Sequence, residues 1–223
     1  MSDPFGAARP VPPDPVADDP ISVVAAAMRA GEVAAFPTDT VYGLGTSVFE
    51  RVGIARLFAL KGRSAEKALP ILIADPGDIS RVAATVTSQA LSVMAWFWPG
   101  PLTIVVPRHP DLPEEVAPGR TSIGVRLPDH ALTRRLIRAV GVPLATSSAN
   151  LSGSPPATEA HEVREAFPSG LAGILDGGRA PGGVVSTVLD LTNPDRPSVL
   201  RAGAISKWAL EDVLAQWVYS AGP

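Results

Sequence analysis

Several polar groups stand at the ends of short apolar runs, and their types suggest what they could hold. Val33 to Phe36 is apolar, breaks at Pro37, and leads into Thr38, Asp39 and Thr40 and then Gly43 and Gly45. Lys61, Arg63 and Lys67 fall within seven residues. Ser122 and Arg126 bracket another apolar run, Thr146, Ser148 and Asn150 follow a third, and Ser186 and Arg201 come later. Arginine forks onto phosphate or carboxylate, and lysine supplies a point charge. Hydroxyls and an amide add short-range donors and acceptors. Together they suit a polyphosphate and a small zwitterion. No Ser-His-Asp order stands out, there is no cysteine nucleophile, and no carboxylate pair is obvious. No Walker A sequence is present, which excludes a P-loop NTPase. The chemistry expected is positioning of reactants and stabilisation of developing charge, without a covalent intermediate.

Each group also has a plainer reading. A Gly-x-Gly at 43–45 without a third glycine is more often a turn than a nucleotide loop. The cations of residues 61–68 suit a solvated loop that caps a helix C-terminus. One or two of the hydroxyls in 146–152 could be spent on turns and caps, but five polar groups exceed what a turn needs.

The elements that must position these groups follow from periodicity. Residues 21–29 read as a short amphipathic helix, with Asp19 as N-cap, Pro20 in the first turn and Gly31 at the C-cap. Residues 33–36 read as a strand running into a hydroxyl loop, and 52–60 as a helix. Residues 69–74 read as a buried strand, and 76–84 and 88–97 as helices. The second of these turns Leu91, Met94 and Ala95 inward and is stopped by Pro99-Gly100-Pro101. Strands are expected at 102–106, 122–127, 143–145, 173–176, 185–190 and 198–201. Helices are expected at 131–140, at 159–167 with Thr158 as N-cap, and at 205–217, where Trp208, Val213, Leu214 and Trp217 form an apolar side. A long glycine-rich loop spans 176–183. Several strands follow one another without a helix between them. The fold class is therefore mixed α/β: a single twisted open sheet of parallel and antiparallel strands flanked by helices.

The chain has 223 residues, 46% of them apolar, enough for one full core. Residues 1–18, rich in Pro, Asp and Ala, read as a disordered tail, and 19–223 as the domain. The formal charge is -3, which weighs against nucleic acid as the main ligand. With no cysteine and three scattered histidines, neither disulfides nor a thiolate or histidine metal site is expected. No run reaches membrane-spanning length and no secretory signal opens the chain, so a cytoplasmic, membrane-free protein is expected.

The motifs, in order, resemble one family. Residues 37–45 (PTDTVYGLG), Lys61-Gly62-Arg63, Pro99-Gly100-Pro101-Leu102-Thr103, Val125-Arg126-Leu127-Pro128, residues 148–153 (SANLSG), Ser186-Thr187-Val188 and Leu200-Arg201-Ala202-Gly203 are similar to the YrdC/TsaC family. The resemblance implies a YrdC-like fold in its short, single-domain form. It implies synthesis of L-threonylcarbamoyladenylate and pyrophosphate from L-threonine, bicarbonate and ATP. The product would go to a downstream transferase complex that modifies tRNA, with room for weak direct tRNA binding. It implies a catalytic cluster of Lys61, Arg63, Ser148 and Asn150. ATP is implied at Arg63, Lys67, Ser122, Ser148, Pro156 and Arg201, and threonine at Thr40, Arg126, Thr146 and Ser186. Mg²⁺ is expected on the ATP phosphates, with no dedicated metal ligands in the chain. Two departures stand out: Ser64 and Ala68 replace prolines common in the family, and Leu72 replaces a histidine of some longer members. The rival readings are a paralogue of the same fold with another ligand, and an RNA-binding module. As loop cations, Lys61 and Arg63 should be removable with loss of turnover and little change in melting temperature.

Overall fold

The computed structural model describes residues 19–62, 66–182 and 184–220. The expected tail and Arg63 lie outside the described residues. Helix α1 (Pro20–Arg29) opens with proline in its first turn and buries Ile21, Val24, Ala25 and Met28, a stripe of helical spacing. Strands β1 (Ala34–Phe36) and β2 (Gly43–Ser47) follow. β2 was not expected. Residues 43–45 are neither a turn nor a nucleotide loop but a buried strand, paired antiparallel with β1. Its glycines serve packing: a Cβ on Gly43 or Gly45 would come within 3.1 or 3.0 Å of the Phe36 ring.

Helix α2 (Arg51–Lys61) ends at Gly62, whose φ of 56° is the left-handed cap conformation that glycine adopts at no cost. β3 (Ile71–Leu72) is shorter than the strand expected at 69–74. The helix expected at 76–84 is a 3-10 turn, Pro76–Arg81, closed by a reciprocal capping box between Asp75 and Asp78. α3 (Ser88–Phe97) has the expected bounds but another inner face. Gln89, Ala90, Val93 and Met94 are buried, while Leu91 and Ala95 face out. The remaining strands and α-helices are β4 (Leu102–Pro107), β5 (Ser122–Arg126), α4 (Ala131–Val140), β6 (Leu144–Ser148), α5 (Ala160–Ala166), β7 (Gly173–Ile174), β8 (Thr187–Asp190), β9 (Ser198–Arg201) and α6 (Lys207–Ser220), with a 3-10 turn at Glu114–Val116. The N-cap of α5 is Glu159, not Thr158; Glu162 folds back onto the N–H groups of both. Trp208 on α6 points outward, 78% exposed.

The strands form one sheet in the order β7-β1-β2-β6-β3-β5-β4-β8-β9. The pairs β1/β7, β3/β5 and β4/β8 are parallel, and the rest are antiparallel. The mixed, helix-flanked sheet is the expected class.

Strand alternation assigns the two faces. Ala35, Leu44, Ile71, Ile104, Val125, Ala145 and Leu189 turn to one face and join buried residues of α2, α3, α5 and α6. Ala34, Phe36, Leu72 and Leu144 turn to the other, where α1 and α4 cover them together with Ala74 and Leu175. Each fully buried residue of that second layer, such as Leu136 or Ile137, stabilises the fold by about 1.5–3 kcal/mol. The layer covers one part of its face. Thr103, Gly124, Arg126, Thr146, Ser148 and Val188 share that face by alternation, and they line a cavity instead.

Candidate active site

The cavity holds about 340 Å³, within the usual range for a small-molecule site. Its walls come from the loop after β1, the approach to β3, the middle strands and the stretch before β8. Thr40, Arg126, Thr146, Ser148, Ser186 and Arg201 all line it. Six of the residues singled out from sequence therefore meet in one place.

Arg126 ends β5 and is only 7% exposed. Its Nη2 donates to Asp39 Oδ1, its Nη1 to Thr40 Oγ1 at 3.1 Å, and its Nε to the carbonyl of Gly100 at 3.1 Å. Burial pulls its pKa below the usual arginine value, and the Asp39 carboxylate pushes it back up. A guanidinium has five N–H groups, so these three bonds leave two for a ligand. The loop that carries Thr40 is closed by Thr38, whose Oγ1 accepts from the N–H groups of Thr40 and Val41 at 3.1 and 3.2 Å.

Across the cavity, Arg201 ends β9 and folds back on Ser186, donating from Nη2 to the Ser186 carbonyl at 2.8 Å and to its Oγ at 3.0 Å. Burial lowers the pKa of Arg201, and its charge acts on Arg126. Two guanidinium groups thus serve one cavity and favour anions within it. Ser186 Oγ also lies 2.9 Å from Thr103 Oγ1. Thr103 is a site residue whose role the sequence reading missed. Its signal was there: Leu102, Ile104 and Val106 alternate with it, so the hydroxyl had to leave the apolar core.

The third wall is the end of β6. Ser148 Oγ donates to Asn150 Oδ1 at 2.5 Å. The Asn150 amide donates to the carbonyls of Leu151 and Ser154 at 2.9 and 2.8 Å. Lys61 stands behind this loop. It is the last residue of α2, 3% exposed, and no solvated loop cation. Its Nζ donates to the carbonyl of Ser148, to that of Asn150 at 2.8 Å and to Asn150 Oδ1 at 3.3 Å. Only Ser148 of this trio lines the cavity.

Other expected residues stand further off. Lys67 is exposed, next to the cavity-lining Ala68. Ser122 shares the face of Gly124 and Arg126 but starts β5, two residues beyond the lining. Pro156 is half-buried in the loop before α5, outside the lining. Leu72 lines the cavity, giving that part of the wall an apolar surface. The Tyr42 hydroxyl ties the glycine-rich loop down, donating to the Gly178 carbonyl at 2.7 Å, and Gly182 N–H reaches the Thr40 carbonyl at 2.8 Å.

The chain is similar to known proteins. The chain is 40% identical over 198 residues to the threonylcarbamoyl-AMP synthase of Bacillus subtilis, covering 88% of this chain and 57% of that protein. It is 38% identical over 173 residues to the threonylcarbamoyl-AMP synthase of Chromohalobacter salexigens, covering 78% of this chain and 93% of that one. The crystal structure of Pyrococcus abyssi Sua5 complexed with L-threonine superposes with a TM-score of 0.83 at 39% identity, over 86% of this chain and 56% of that one. The chain thus spans little more than half the length of the Bacillus and Pyrococcus proteins. The model of the Sua5/YciO/YrdC family, described as "Telomere recombination", matches residues 26–203. With that match over most of its length, the chain belongs to the Sua5/YciO/YrdC family.

Proposed function

We propose that this chain is an L-threonylcarbamoyladenylate synthase, joining L-threonine, bicarbonate and ATP and releasing pyrophosphate. The observation that carries the reading is the buried Arg126, whose guanidinium is tethered on three sides and whose remaining N–H groups serve a cavity lined with hydroxyls. An α-amino acid carboxylate suits that donor set. Thr40, Thr146 and Ser186 surround the rest of a small hydroxylated amino acid. Arg201, Ser148, Arg63 and Lys67 take the triphosphate, with Ser122 and Pro156 on the nucleoside side. Lys61 and Asn150 set the Ser148 hydroxyl.

The reaction runs in two steps. The threonine amine attacks the bicarbonate carbon, water leaves, and a carbamate forms. A carbamate oxygen then attacks the α-phosphorus of ATP, and pyrophosphate departs. The chain's part is to bring the carbamate and the α-phosphate together and to offset the charge of the leaving group.

Mg²⁺ would arrive on the ATP oxygens and neutralise phosphate charge. Among the described residues no three His, Cys, Asp or Glu side chains cluster to hold a metal. The product would pass to a tRNA-modifying transferase complex, and the setting is cytoplasmic. No helix among the described residues is long and apolar enough to cross a membrane.

The test is pyrophosphate release from ATP, measured with and without L-threonine and bicarbonate. Release that requires both, with label from bicarbonate recovered in an AMP-linked product, is expected. Release that ignores threonine would overturn the reading.

A further inference from the structure

Asp39 does not line the cavity, yet it stands directly behind the residue on which the amino-acid subsite depends. The Arg126 and Asp39 side chains are 8% and 12% exposed, with Nη2 and Oδ1 2.5 Å apart. A charge-assisted contact this well shielded keeps most of its directional force. The guanidinium is planar. Bonds from its Nε, Nη1 and Nη2 to Gly100, Thr40 and Asp39 fix both its plane and its roll. Of the three partners, Asp39 alone is charged.

Two further observations separate this carboxylate from a scaffold role. The loop at residues 38–41 is closed by Thr38, through its hydroxyl and backbone, with no bond from the Asp39 side chain. And among the described residues no group hydrogen-bonds the buried Asp39 Oδ2. An unsatisfied buried carboxylate oxygen calls for an explanation, and a functional role is one.

We infer that Asp39 is a positioning residue of the amino-acid subsite: its carboxylate orients the Arg126 guanidinium so that the two remaining N–H groups meet the carboxylate of an incoming α-amino acid. The inference rests on the reading of Arg126 as the carboxylate ligand. Asp39 itself touches neither substrate. Its removal therefore acts on the amino acid and spares the nucleotide.

The test compares wild type with Asp39→Ala, Asp39→Asn and Arg126→Lys. Dissociation constants for L-threonine and for ATP are measured separately by calorimetry, and KM and kcat by pyrophosphate release. Asp39→Ala is expected to weaken threonine binding about tenfold or more, the usual effect of removing a charged hydrogen-bond partner. ATP binding should stay within about twofold of wild type. Asp39→Asn keeps an oxygen for Nη2 and should recover part of the loss, with KM for threonine moving more than kcat. Adding Asp39→Ala to Arg126→Lys should cost little more, because both act through one guanidinium. Threonine binding unchanged in Asp39→Ala, or equal losses for threonine and ATP, overturns the inference while leaving the proposed function standing. A wild type that binds ATP but no L-threonine overturns both.

Discussion

Replacing Lys61 by methionine separates its charged head from its stem. Methionine keeps most of the apolar packing at the end of α2 and removes the ammonium. Among the described residues three oxygens then lose a donor: the carbonyls of Ser148 and Asn150, and Asn150 Oδ1, which keeps its bond from Ser148. Charged hydrogen bonds contribute about 1.5–3 kcal/mol each, but a buried ammonium also costs several kcal/mol to desolvate. The two largely offset each other, leaving a net loss of about 1–3 kcal/mol. For a domain of this size each kcal/mol moves the melting temperature by roughly 2–4 °C, so a fall of roughly 2–12 °C is expected. Turnover should fall with it, because the Ser148 hydroxyl loses the Asn150 orientation that Lys61 enforces. The expectation of little change in melting temperature took Lys61 for a loop cation, whereas it is buried at the end of α2. Lys67→Ala, at an exposed position, is the control and should leave the melting temperature within about 1 °C. Calorimetric melting with pyrophosphate release on the same samples gives both readouts. A Lys61→Met protein with an unchanged melting temperature and lost turnover would refute the scaffold argument and put the ammonium on the substrate.

Three other outcomes are expected. Gly45→Ala would set a Cβ 3.0 Å from two Phe36 ring atoms and 3.1 Å from Thr146 Cγ2, an overpacked strand costing about 1–3 kcal/mol, partly recovered by Phe36→Leu; denaturant unfolding of both variants checks it. Burial lowers the pKa of His130, so its stabilising effect is complete above the unfolded value of about 6.5 and is lost as pH falls from there toward the lowered folded value. His130→Gln should therefore lose less stability than wild type between pH 7.5 and 5.5, and identical slopes would show that this histidine does not contribute. Among amino acids, threonine should be used best, serine less well and valine worst, since an unpaired buried hydroxyl partner costs about as much as or more than a missing methyl; specificity constants for valine equal to those for serine would remove Thr40, Thr146 and Ser186 from the substrate pocket.

Local signals determined much of this protein. The apolar spacing in residues 131–140 and 88–97 sets the bounds of α4 and α3, because helix periodicity and the flanking Gly141 and Pro99 are local properties. The strand expected at 198–201 coincides with β9. The ordered polar groups at strand ends pointed to the family and to six residues that meet in the cavity. Other features depended on distant partners. β2 reads as a loop because Gly43 and Gly45 are poor strand residues, and pairing with β1 and β6 on either side makes it a central strand. The inner face of α3 is chosen by what it packs against, so Gln89 and Val93 turn in while Leu91 and Ala95 turn out. Lys61 resembles any cation at a helix end until residues 87 and 89 positions away bring three oxygens to it. Asp39 and Arg126, also 87 residues apart, become one ion pair only when β1 and β5 join the same sheet. The cavity face was the least local of all. Alternation tells which residues share a side, but α1 and α4 decide, by covering only part of that side, where the sheet stays open to a ligand.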